Sequence, residues 1–226
     1  MARQKFDAEL AWEEEVGRDV FQEPALAYVE DDPALPRVLL IGDSISMAYT
    51  IPVRNLLKGK ANVHRIPKNG GNTLRGLENI ETWLRDEKWD VIHFNWGLHD
   101  IYRVDKQNEP DIAMDKAVSP QAYAQNLLDL VARLKKNTNA KLIWASTTPV
   151  PDGAPGFIQG EEVKYNAIAE TIMTKESVSV NDLHEQILPQ IDTLQRQANV
   201  HFHAEGSTFL AQRVANIIQN ALEAPD

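Results

Sequence analysis

The chain has 226 residues, 43% hydrophobic and 25% charged, with no cysteine. Those fractions are ordinary for a globular domain and exclude wholesale disorder, collagen-like repeats and low-complexity scaffolds. Zero cysteine removes disulfides, thiolate chemistry and cysteine-held metals, and 33 acids against 23 bases, a formal charge of −10, argue against a nucleic-acid partner.

The acidity is uneven. Residues 1–32 hold ten acids and three bases, which leaves the remainder close to neutral. Residues 1–36 read as an acidic N-terminal extension. Ala8–Phe21 has a partial apolar stripe (Leu10, Val16, Phe21) and is expected as a helix. Pro24, Pro33 and Pro36 then break the pattern into a strap. No apolar run reaches the ~18 residues needed to cross a bilayer, so no membrane partner is expected. No leader-like segment opens the chain. The compartment stays open between the cytoplasm and secretion with a signal removed, and the oligomeric state is not legible.

From residue 37 the chain alternates short apolar runs with helical patterns. Arg37–Ile41 is a continuous apolar run of the kind a buried parallel strand shows. Helix is expected over 44–58, strand over 61–66, helix over 73–86, strand over 89–95. A long polar loop covers 101–117. Ser119 caps a helix over 120–136, with Pro120 at its first position. Strand is expected over 141–145, a Pro/Gly-rich loop over 147–160 and helix over 161–174. Strand over 178–181, one helix over 183–196 and a closing helix over 205–222 complete the order. Five strands, each followed by a helix, give a layered α/β fold with a mostly parallel sheet. Residues 37–226 read as one domain.

Ligands of such sheets bind outside the carboxyl ends of the strands. The residues just past each strand are therefore informative. After the first comes Gly42-Asp43-Ser44, after the second Asn69-Gly70-Gly71-Asn72-Thr73, after the third Trp96-Gly97-Leu98-His99-Asp100, and after the fourth Thr147-Thr148-Pro149. Before the last helix stands Val200-His201-Phe202-His203-Ala204-Glu205-Gly206. A serine at a helix start, with a histidine on the same rim, suits nucleophilic catalysis, because a hydroxyl needs a base to take its proton. A glycine N–H such as that of Gly71 can approach a developing oxyanion unobstructed.

Four such blocks in order resemble the SGNH (GDSL-type) hydrolase superfamily over residues 37–222. The GDS tripeptide alone carries little; the ordered set carries the resemblance. It implies a flavodoxin-like three-layer α/β/α sandwich around a central five-stranded parallel sheet. It implies Ser44 as nucleophile, His201 as general base and then acid, and Gly71 N–H as an oxyanion donor. Two positions depart from the family pattern. His99 stands where the third-block Asn is expected, and its imidazole can take over the donor role. Asn95 is a poorer candidate for that role. Ala198 stands where the family has the Asp that orients the histidine, and Asn199 beside it supplies no carboxylate. Either Ser44 and His201 work as a dyad with a backbone carbonyl on the imidazole, or an atypical triad recruits an acid from elsewhere, Asp182 and Glu205 being nearest in sequence.

Around this centre, Asp43, Trp96 and His203 are candidate substrate contacts, with Asp43 also able to shape its turn. Trp96 would supply a flat wall for a sugar ring. Asp100 is expected to hold the third-block loop. His64 and His93 are expected in packing or surface roles, and His184 on the surface. The loops 101–117 and 149–160 should border the pocket. His201 and His203 with His99 and Asp100 or Asp43 also make a metal reading, which the serine blocks supersede; no cofactor is expected. The expected activity is a serine esterase removing a short acyl group, acetyl above all, from a carbohydrate, since no hydrophobic lid segment is present. The alternatives are a longer-chain esterase, lipase or thioesterase, and a non-catalytic binding protein on the same fold.

Overall fold

A computed structural model describes residues 8–17, 23–85 and 87–224. Its centre is a five-stranded, all-parallel sheet in the order β2-β1-β3-β4-β5. The strands are β1 (Arg37–Ile41), β2 (Asn62–Arg65), β3 (Val91–Phe94), β4 (Lys141–Ala145) and β5 (Ser179–Asn181). β1 and β3 are buried almost throughout. Central parallel strands are covered on both faces, which is why their sequences run apolar without alternation.

Helix α1 (Ala8–Val16) lies in the extension, and α2 (Ser44–Leu56) and α3 (Thr73–Leu84) follow β1 and β2. A single turn, α4 (Leu98–Ile101), follows β3 and precedes α5 (Pro120–Asn137); α6 (Glu161–Lys175) follows β4. Beyond β5 come α7 (Leu183–Ile187), α8 (Ile191–Leu194) and α9 (Ala204–Glu223). α2 packs on α9, while α3, α5 and α6 pack in a second row. These are the outer layers of the α/β/α sandwich read from the sequence. The core between them buries Phe94, Trp96, Tyr123, Trp144 and Tyr165. Each fully buried large apolar side chain contributes roughly 1.5–3 kcal/mol.

Sequence-encoded caps set the helix starts. Asp43 accepts from Ile45 N, Asn72 from Arg75 N and Ser119 from Ala122 N. The helix expected over 183–196 is instead broken. Pro189 has no N–H and its ring conflicts with the preceding turn, so a 3₁₀ turn at Leu188–Gln190 separates α7 from α8. The loop expected over 101–117 loses its first residue to α4. The extension's helix is described only as far as Val16; Phe21 and the Leu10 side chain lie outside the described residues.

Residues 23–36 form a strap against β2. Asp32 N donates to Asn62 Oδ1 at 2.9 Å, and Asn62 Nδ2 returns a bond to Asp32 O at 2.9 Å. Asp31 meets both Arg37 and His64. Trp12 Nε1 donates to Leu26 O, and Glu15 pairs with Arg85.

In this strand order the direction of winding reverses at β1, so the crevice opens beyond the carboxyl ends of β1 and β3. Ser44 and Leu98 begin the helices that follow those two strands.

Candidate active site

Ser44 is the first residue of α2, held there by the turn before it. A Cβ on Gly42 would stand 2.7 Å from Ser46 Cβ, so only glycine allows this turn so tight against the helix. Gly42 O also accepts from Gly70 N at 2.9 Å, which ties the second block to the first. Asp43 is buried and its carboxylate is committed to capping Ile45 N. It borders the cleft, but as the clamp of the turn.

Ser44 Oγ lies 2.9 Å from His201 Nε2. On the other side of the ring, His201 Nδ1 lies 2.8 Å from Asn199 Oδ1, and the backbone N–H of His201 donates to the same oxygen at 2.9 Å. That second bond fixes the chemistry. A backbone N–H only donates, so the Asn199 atom facing it is the oxygen. The oxygen in turn requires a proton on Nδ1. In the neutral ring this leaves Nε2 bare, facing the Ser44 hydroxyl.

Asn199 is thus the partner of His201 that the sequence did not disclose, since a carboxylate is the expected partner of such a histidine. Neither acid weighed for the role reaches His201. Asp182 caps Glu185 N and accepts from Ser146 Oγ, and Glu205 is exposed in the first turn of α9. The signal was a His201 partner two residues upstream, the spacing at which an Asn side chain bends back to its own backbone. The surrounding loop is pinned: Gln195, buried, donates to Pro149 O and Val200 O, and Arg196 N donates to His201 O. Ala198 takes a left-handed conformation (φ +49°) within it.

His99, in α4, lines a cleft of about 310 Å³ together with Ser44, Asn199 and His201. Both expected loops border it, through Tyr102 and Pro110 from one, and Ala154, Pro155 and Phe157 from the other. The Tyr102 and Phe157 rings lie 4.9 Å apart. Its wall is mainly apolar, with Leu98 and Val200 adding to the two rings.

Several expected contacts fall elsewhere. Trp96 is 1% exposed and forms no wall of the cleft. Its indole supports α3 from below, so closely that a Cβ on Gly76 would meet the ring at 2.8 Å. The aromatic wall comes from Tyr102 and Phe157 instead. His203 is exposed at the start of α9 and does not line the cleft. Asn95 uses its amide to bridge to Ala145 O at 2.7 Å. His184, expected on the surface, is buried beside Glu162 and Glu185, which push its pKa up. Gly71 has the expected positive φ (+61°), but its N–H donates to Asn69 Oδ1 at 2.8 Å, so that donor is already engaged.

Asp100 clamps the second and third blocks. It is fully buried, and its Oδ1 accepts from Thr73 N at 3.0 Å and Thr73 Oγ1 at 2.6 Å. Its Oδ2 has no hydrogen-bond partner among the described residues. Burial raises its pKa to about 7, against the pull of the Thr73 bonds. Among the described residues no three His, Cys, Asp or Glu side chains converge as a metal-ligand set.

No family model and no curated protein matches this sequence. Solved structures do. The chain is 16% identical to an acetyl xylan esterase, AlAXEase, over 80% of this chain and 99% of that one, with a TM-score of 0.68. It is 17% identical to a lipase/acylhydrolase from Enterococcus faecalis over 82% and 96%, with a TM-score of 0.68. A protein assigned as an SGNH hydrolase, from Slackia heliotrinireducens, is 19% identical over 81% and 99%, with a TM-score of 0.62. With the strand order and the place of the cleft, these likenesses give the chain the SGNH hydrolase fold.

Proposed function

We propose that the chain is a serine carboxylic-ester hydrolase working through Ser44, His201 and Asn199. The contact that carries the reading is Ser44 Oγ at 2.9 Å from a His201 Nε2 whose opposite nitrogen meets Asn199 Oδ1. Ser44 Oγ attacks the ester carbonyl carbon while His201 Nε2 takes its proton. The carbonyl electron pair moves onto oxygen. Collapse of this intermediate breaks the bond to the alcohol, and His201 returns the proton to the leaving oxygen. Water then attacks the Ser44 acyl ester by the same route, releasing the acid and restoring Ser44. Asn199 keeps the Nδ1 proton in place and holds the ring toward Ser44. It is a positioning residue, with less power than a carboxylate to stabilise the imidazolium.

The oxyanion meets the Ser44 N–H, which at a helix start has no intrahelical acceptor. His99 is the second donor. Gly71 N–H joins them once the oxyanion replaces Asn69 Oδ1. As substrate we favour a short acyl ester, acetyl above all, on a carbohydrate. Structural neighbours named as acetylxylan esterases, one of them from Geobacillus stearothermophilus, support this. So does the Tyr102–Phe157 wall, a surface on which a sugar ring can lie. A longer acyl chain is the second reading, favoured by the apolar lining from Leu98 and Val200. Initial rates on 4-nitrophenyl acetate, butyrate and octanoate separate the two: the first reading predicts a decline with length, the second a rise. Ser44→Ala is expected to lower 4-nitrophenyl acetate hydrolysis by at least about 10³-fold. Unchanged hydrolysis by that variant would contradict the whole proposal.

A further inference from the structure

A second cavity, of about 280 Å³, lies between the strap and the β2 edge of the sheet. Among the described residues it shares no lining residue with the Ser44 cleft. Four of the eleven arginines of this acidic chain line it: Arg37, Arg54, Arg65 and Arg85. Two of them are neutralised. Arg37 pairs with Asp31 and Glu87, and Arg85 with Glu15. The other two are not. Arg54 donates through Nε to Val63 O and through Nη1 to Pro24 O. Arg65 is 1% exposed, donates through Nη2 to Gly42 O, and leaves Nε and Nη1 without a hydrogen-bond partner.

No carboxylate forms an ion pair with either guanidinium among the described residues. Burial lowers both pKa values to about 10, which leaves both charged at neutral pH. His64 adds no charge, since burial outweighs Asp31 and holds its pKa down. Arg65 is buried without an ion pair, with only the through-space pull of Asp43 on its charge, and a buried cation so placed is costly by several kcal/mol. The strap folds over this buried guanidinium and the half-buried one of Arg54, with Trp83 and Leu39 as apolar walls and the carboxylates of Asp31 and Glu87, both paired to Arg37, also on the lining, a setting that favours an anion.

We propose that the cavity beneath the strap binds a small organic dianion of the phosphate-monoester class, whose charge Arg54 and Arg65 neutralise. Two guanidiniums match the two charges of a monoester, and a guanidinium is the side chain best suited to bidentate contact with phosphate. The apolar wall takes the organic group.

Trp12, Trp83 and Trp89 border the cavity and report on it by fluorescence. The full chain is titrated with phenyl phosphate, inorganic phosphate and neutral benzamide. Saturable binding of phenyl phosphate is expected, tighter than inorganic phosphate, with none of benzamide. Arg54→Gln, at the half-buried rim, should weaken it by about tenfold or more. Phe157→Ala, in the Ser44 cleft, should leave it unchanged. Arg65→Met should abolish it; should that variant fail to fold, Arg54→Gln still decides. Absence of saturation by phenyl phosphate up to about 10 mM, weaker than any specific site here would give, overturns the proposal. So does binding that survives Arg54→Gln or is lost with Phe157→Ala.

Discussion

Asn199 does two things at once: one oxygen receives both the backbone N–H and the Nδ1–H of His201. Removing the side chain frees the ring to rotate and to change tautomer. Asn199→Ala is therefore expected to lower kcat by about 10²-fold, with KM little changed. Asn199→Asp keeps both bonds and adds a charge. That charge favours the imidazolium, so the acid limb of the kcat/KM profile should move to higher pH. Stopped-flow or steady-state profiles of the three proteins check this. Equal kcat for Asn199→Ala and the parent would mean that Ser44 and His201 act as a dyad.

At the scale of elements, Asp100 couples α3 to α4 through Thr73. Its pKa is raised from 3.8 to about 7 in the fold. A proton is thus held more tightly folded than unfolded. The stability it contributes is fully present below the unfolded value and is lost as pH rises through the folded one. Asp100→Asn keeps an oxygen toward Thr73 and cannot ionise. Its urea midpoint should show a shallower fall than the parent's between about pH 4 and pH 7. Parallel curves would show that Asp100 does not titrate in that window.

The elements also explain what the sequence could reveal. The five strands and the order of the blocks were legible because burial forces continuous apolar runs and the chemistry sits at strand ends. Pro189 was legible in principle as a break but sits in an otherwise helical pattern. Trp96 and His184 were not legible, because no local pattern tells which face of a rim residue the neighbouring helix covers. Asn199 was hidden for a chemical reason: a histidine of this kind is expected to lean on a charge, and the structure uses an amide oxygen placed by a turn.

At the scale of the molecule, the extension is held by polar groups at the β2 edge and also buries Val16, Ala25 and Leu26. None of the described residues of 1–32 lines the Ser44 cleft. Deleting residues 1–32 should thus leave 4-nitrophenyl acetate hydrolysis within about twofold, a change near the noise of RT ln 2. It should cost about 2 kcal/mol and lower the thermal midpoint by roughly 4–8 °C. It also uncovers the edge of β2, a route to association. An unchanged midpoint would mean that the strap contacts contribute nothing net, as many exposed ion pairs do.

In the proposed mechanism His201, held by an amide rather than a carboxylate, still activates Ser44. Stoichiometric labelling by a fluorophosphonate, with peptide mass mapping of the product, tests it most directly. One label per chain is expected, on Ser44, absent from Ser44→Ala and strongly slowed in Asn199→Ala. A folded protein that takes no label, or takes it on another residue, would contradict the claim.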